Sequence, residues 1–158
     1  MKMIALSVLA AATFPASAHS TKLEAGESAL PPSAQGAAAT VDAFHQALRR
    51  GDMNAAASLL ADDALVFEEG GAERTKAEYV ASHLPADAAF SQVVASTVTR
   101  RTGGSDGTLA WIASEGRLKG SYKGKAVDRV TTETMLLRRA GRGWEVIHIH
   151  WSSAAATD

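Results

Sequence analysis

The stretch Trp144 to Ser152 carries His148 and His150 with one residue between them. On a strand that spacing puts two imidazoles on the same side, a geometry that metal sites use. No third ligand is evident from the spacing, although His45 or His83 could approach in three dimensions. Glu68 and Glu69 close an earlier apolar stretch just before Gly70-Gly71. A carboxyl there is either the solvated end of a strand or an acid at the mouth of an apolar pocket. In the second case burial lifts its pKa into a range useful for proton transfer. Thr131, Thr132 and Thr134 could turn hydroxyls toward a ligand, but ordinary β propensity also accounts for them. Trp111, Trp144, Met135 and Tyr79 read as core or interface side chains. The chain has no cysteine, which excludes thiolate catalysis and cysteine-bound metal. No phosphate loop, dinucleotide glycine motif, Gly-x-Ser-x-Gly elbow or His-Glu-x-x-His is present, which disfavours nucleotide cofactors and serine hydrolysis.

These residues sit in a chain of 158 residues with 16 Lys and Arg against 17 Asp and Glu. That is enough for one hydrophobic core and nearly neutral. Arg49-Arg50, Arg100-Arg101 and Arg138-Arg139 are scattered pairs, more simply helix-end and turn charges than a phosphate-tracking surface, so no nucleic acid partner is expected. Met1 to Ala18 has the form of an export signal, with Lys2, the apolar run Met3 to Ala12 and the small-x-small site Ala16-Ser17-Ala18. Cleavage after Ala18 removes Lys2 and takes the formal charge from -1 to -2. The mature protein is then expected in the periplasm or outside the cell, with no membrane attachment. His19 would become the first residue, where amine and imidazole can chelate copper; on a loose arm this reads as coincidence.

His19 to Gly36 carries Pro31-Pro32, Gly26 and Gly36 and has no apolar period, which marks a flexible linker over 19–36. The domain is expected over 37–153, with 154–158 as a tail. Val41, Phe44, His45 and Leu48 recur at helical spacing, predicting a helix from Ala37 to Arg50 that Gly51 ends. Asp52 can cap a second short helix reaching about Leu60. Ala64 to Glu69 reads as a strand. Thr75-Lys76-Ala77-Glu78 has the capping-box spacing for a third helix, ending near His83 before Pro85. Strand-like stretches follow at Phe90–Arg101, Thr108–Lys119, Ala126–Arg139 and Trp144–Ser152, separated by turns at Gly103–Gly107, Gly120–Gly124 and Ala140–Gly143. Helices first and hairpin-joined strands after them indicate the α+β class, an antiparallel sheet with helices on one face. Alternation along the last strand groups Trp144, Val146, His148 and His150 on one face and Glu145, Ile147, Ile149 and Trp151 on the other.

Three stretches in this order resemble a known family: Val41-Asp42-Ala43-Phe44-His45-Gln46-Ala47-Leu48 leading into Arg50-Gly51-Asp52, then Leu60-Ala61-Asp62-Asp63-Ala64, then Gly143 to Ser152 with its His-x-His-x-Ser ending. The chain is similar to a SnoaL-like domain of the nuclear transport factor 2-like superfamily, close to the association-domain branch of calcium/calmodulin-dependent protein kinase II. The resemblance implies a cone-shaped α+β domain, usually a dimer, with about three helices on the concave side of a curved sheet. A pocket for a small organic ligand lies between them. It places Glu68 as general base, Glu133 as a protonated acid donor, and Phe44 where ketosteroid isomerases carry a phenol. Phe44, Thr131, Met135, Ile149 and Trp151 are then expected to contact the ligand, with His148 and His150 at a homodimer interface. No metal and no cofactor are expected. The implied activity is isomerisation, dehydration or hydration by a pocket carboxylate; the alternative is a non-catalytic association module.

Overall fold

A computed structural model of the protein describes residues 30–157. The expected signal over 1–18, and the linker as far as residue 29, lie outside the described residues. Helix α1 (Pro32–Arg50) begins ahead of the expected Ala37. Pro32 fits its first turn, where no N–H is needed and a fixed φ helps, so the proline pair that reads as linker starts the helix. Ala34, Ala37, Val41, Phe44 and Leu48 form its buried stripe. Gly51, at φ 69°, takes the left-handed turn that ends it. Its N–H donates to Leu48 O, and the Asp52 N–H donates to Ala47 O, both at 2.9 Å. Asp52 then caps α2 (Met53–Ser58), accepting from the Ala55 N–H at 3.0 Å.

Strands β1 (Leu60–Glu68) and β2 (Gly71–Glu73) form a hairpin, and α3 (Lys76–Ala81) follows. Thr75 Oγ1 accepts the Glu78 N–H at 3.1 Å, and the Glu78 carboxylate accepts the Arg74 N–H at 2.6 Å. A fourth helix, α4 (Leu84–Ser91), stands where three helices were expected. Pro85 reads as a stop, yet it lies in the first turn of α4, where proline is tolerated. The remaining strands are β3 (Val94–Ser105), β4 (Leu109–Tyr122), β5 (Lys125–Ala140) and β6 (Gly143–Ala155). Gly103 and Gly104 belong to β3 rather than to a turn. A Cβ at Gly103 would lie 2.7 Å from the Trp111 carbonyl, so the glycine permits close strand packing. The turn is made instead by Asp106, whose carboxylate accepts the N–H groups of Thr108 and Leu109.

The strands form one curved sheet in the order β2-β1-β6-β5-β4-β3. It is mixed, not wholly antiparallel: β1 runs parallel to β6 while every other pair is antiparallel. Hairpin turns dictate only local pairings, whereas β1 and β6 meet from opposite ends of the domain. A bulge in β6 also changes the expected alternation. Leu136 faces His148 but Leu137 faces Val146, which leaves Ile147 as the extra residue. Trp144 and Val146 therefore share the helix-covered face with Ile149, while His148 and His150 lie on the other.

The core lies between α1 and the inner side of β1, β4, β5 and β6, with Tyr79 and Leu84 closing one end. Ala34 is fully buried and Leu30 packs against this cluster. A chain starting at residue 37 should be less stable than one starting at residue 30, by on the order of 2 kcal/mol. Urea unfolding of the two chains checks this, and equal midpoints would return 30–36 to the linker.

Candidate functional site

Strand register sets the geometry of the site. Glu68 lies opposite Trp151, Trp151 opposite Glu133, Glu133 opposite Ser114, and Ser114 opposite Arg101. These residues form one transverse row on the helix-facing side of the sheet. Neighbouring strands are about 4.8 Å apart, so the Glu68 and Glu133 backbones stand about 10 Å apart with Trp151 between them. Above this row, α1 and α4 leave a cavity of about 150 Å³. Leu48, Phe90, Leu118 and Trp151 supply its apolar wall; His45, Glu68, Asp87 and Glu133 bring polar groups to it. A second, more polar cavity of about 250 Å³ holds Asp42, Arg49, Arg101 and Ser114. The two share His45, Ser96, Thr131 and Glu133 as a common wall.

The two glutamates of the row are in opposite electrostatic states. Burial, reinforced by the nearby charges of Asp87, Glu69 and Glu73, pushes the Glu68 carboxyl up to about 7, against a smaller downward pull from His83. Burial would raise Glu133 too, but hydrogen bonds from His45 and Trp151 and the charges of His45 and Arg101 outweigh it. Glu133 is held below the usual range. His45 Nε2 and the Trp151 indole N–H both donate to Glu133 Oε2, each at 2.7 Å. Glu133 is thus an ionised acceptor, and the expected role as a protonated donor does not fit its surroundings.

Beside Glu68 lies a second acidic group. Asp87 is raised by burial, against hydrogen bonding from the Tyr79 hydroxyl at 2.7 Å. Desolvation and the Asp87 charge hold the Tyr79 phenol well above its ordinary range, so it stays a donor. Glu73 is buried and contacts His83, whose imidazole is raised chiefly by that hydrogen bond. The Glu73 charge adds to the raising of both Asp87 and Glu68.

Of the side chains expected to meet a ligand, Thr131 and Trp151 line the cavity, as do Glu68 and Glu133. Phe44, Met135 and Ile149 do not: all are fully buried, one layer behind the wall. Phe44 stacks on Trp151 with ring centroids 6.3 Å apart and so backs the cavity floor instead of touching its contents. Asp87 and Arg101 were not expected at the site, and His45 was expected there only as a possible third metal ligand. His45 shares the inward helical face with Phe44, a signal that was present in the spacing. Asp87 lies on the unforeseen α4.

Among the described residues no helix covers the opposite side of the sheet. Trp111, Leu136, His148 and Leu65 form a transverse row there, beside Phe67 and His150. Trp111, Leu136 and Phe67 are exposed. His148 Nδ1–H donates to the Leu65 carbonyl at 2.9 Å, and Phe67 lies edge-on to both histidine rings. Among the described residues no group of three or more His, Asp and Glu is placed to hold a metal ion.

A family model described as SnoaL-like domain matches residues 37–156. Among solved structures, a protein provisionally named as a ketosteroid isomerase, from Shewanella frigidimarina, is 32% identical with a TM-score of 0.73. The match covers 78% of this chain and 100% of that one. A provisionally named calcium/calmodulin-dependent protein kinase II association domain from Xanthomonas campestris is 20% identical, with a TM-score of 0.69, over 83% of this chain and 96% of that one. A provisionally named dehydratase of the NTF2-like family from Streptomyces avermitilis is 18% identical, with a TM-score of 0.66, over 78% and 97%. No protein with a curated description matches the chain. The match over residues 37–156 establishes that this chain belongs to the SnoaL-like domain family.

Proposed function

We propose that the domain admits a small organic molecule to the cavity beneath α1 and moves protons on it without a cofactor, with Glu68 as the acid/base group. The observation that carries this reading is the half-buried Glu68 carboxyl at the cavity wall, pushed up to about 7. Such a group is divided between acid and base near neutral pH, where general catalysis is most effective. The chemistry within reach is isomerisation, dehydration or hydration, in keeping with the names of two structural relatives. Steroid-type isomerisation fits less well. Phe44 has no proton to give, while the Trp151 N–H and Tyr79 O–H are engaged by Glu133 and Asp87. Export from the cytoplasm is part of the proposal and is supported by the sequence of Met1 to Ala18 alone.

A second reading, association with a further copy, is favoured by the exposed row of Trp111 and Leu136 beside Phe67, His148 and His150. It uses the opposite side of the sheet and is compatible with the first.

Carboxyl-labelled NMR titration, with Glu68→Gln to assign the signal, should place Glu68 near pH 7; a value near the ordinary ~4.3 of a free glutamate would sink the acid/base reading.

Because the folded-state pKa of Glu68 is raised, its contribution to stability is complete below the unfolded value and is lost as pH rises through about 7. Wild-type unfolding free energy should therefore fall between about pH 5 and pH 8, and Glu68→Gln should remove about 1–2 kcal/mol of that fall, allowing for partial exposure. Parallel denaturation curves that leave the slope unchanged would contradict it.

In sedimentation the protein should run as a dimer, with Trp111→Glu shifting it to monomer and leaving the Glu68 titration in place. A monomeric wild type removes the association reading.

A further inference from the structure

Among the described residues, no buried side-chain nitrogen or oxygen lacks a hydrogen-bond partner. His45 uses Nε2 to hold Glu133 at 2.7 Å. Its Nδ1 makes no hydrogen bond to a described residue, so that nitrogen is not sealed in the core. The ring forms part of the wall common to both cavities. Glu133 is an ionised acceptor, which fixes the permanent proton of the imidazole on Nε2. Nδ1 is then the ring nitrogen left for a bound molecule, and a carboxylate behind an imidazole in this way holds the ring in its orientation. The cavity thus offers two proton carriers, Glu68 on the β1 side and His45 Nδ1 on the α1 side.

We infer that His45 is a second catalytic group, positioned by Glu133, and that the site eliminates water from, or adds it to, a small β-hydroxy carbonyl compound. This rests on the acid/base role of Glu68 and narrows it. Moving a proton along one carbon skeleton needs one base and a weak donor for the oxyanion. Expelling hydroxide requires a full proton for the leaving oxygen, which a hydroxyl or amide donor does not supply. The Glu68 carboxylate takes the proton from the carbon next to the carbonyl, and that C–H electron pair becomes the new C=C bond. The C–O bond at the next carbon breaks with its electrons on oxygen, which accepts the Nδ1 proton and leaves as water. Glu68 ends protonated and His45 neutral, and one proton returns from Glu68 to His45 through water to restore both. Hydration runs the same steps backwards. Trp151 and Leu48 supply an apolar surface for the rest of the molecule.

The test uses benzylacetone, which can only exchange its α protons, and the β-hydroxy ketone that dehydrates to benzylideneacetone. Deuterium exchange is followed by NMR and enone formation by absorbance. Wild type should do both, and Glu68→Gln should lose both. His45→Gln, which can still hydrogen-bond Glu133, should lose dehydration about 100-fold more than it loses exchange. Added imidazole should restore dehydration to His45→Ala, a rescue that a merely structural histidine would not allow. Exchange without dehydration in wild type overturns the inference and leaves the Glu68 reading standing. Equal loss of both activities in His45→Gln, with no rescue by imidazole, overturns it as well. Neither activity in wild type removes both readings together.

Discussion

The site depends on a single buried oxygen. Glu133 Oε2 receives both the Trp151 indole N–H and His45 Nε2 at 2.7 Å. An ionised carboxylate without those donors would cost several kcal/mol in a buried position, and deleting one partner of such a pair typically costs about 3–5 kcal/mol. The arrangement is also mechanical. Glu133 belongs to β5, Trp151 to β6 and His45 to α1, so one charge fixes the height and rotation of the helix over the sheet. That height leaves room for the cavity, and Phe44, one residue before His45, stacks on the same indole.

Trp151 reaches this oxygen because of the bulge at Ile147. With strict alternation, Trp144 and Val146 would face the side opposite Trp151, and β6 would lose either its core contacts or its cavity floor. One extra residue lets Trp144 and Val146 pack inward before the bulge and Ile149 and Trp151 pack inward after it. A bulge leaves little trace in a sequence, since Glu145-Val146-Ile147-His148 reads as ordinary alternation. For similar reasons, local signals revealed α1, its Gly51 stop and the Thr75 cap, but not the parallel pairing of β1 with β6. That pairing joins residues more than eighty positions apart and has no turn chemistry to announce it. Proline misled twice in one way: Pro32 and Pro85 punctuate the chain, yet each sits in a first helical turn, where it initiates instead of ending.

The candidate site was legible to the extent that it lies on strands. Glu68, Glu133, Thr131 and Trp151 follow from resemblance and parity, and all four reach the cavity. Phe44, Met135 and Ile149 have the right face but the wrong depth, because periodicity identifies a side and not a layer. His45 carried a usable signal, a titratable ring on an otherwise apolar helical stripe. A polar group placed there needs a buried partner. The identity of that partner, Glu133, depends on tertiary structure and was not accessible from spacing.

The two glutamates on one row show how far environment outweighs residue type. Both sit on the inner face and flank the same tryptophan. Glu133 has two donors and a nearby arginine, and it ionises; Glu68 has burial and other carboxyls, and it is raised. Acid and base roles separate when environments push equivalent groups apart. The same strands carry a second division, between faces. In His148-Ile149-His150-Trp151, the two histidines lie on the outer face, while Ile149 packs into the core and Trp151 lines the cavity. A change on the outer row can therefore leave the inner row intact. The proposed proton transfer and the proposed association therefore draw on different side chains, since the pleat of β6 keeps the two faces apart.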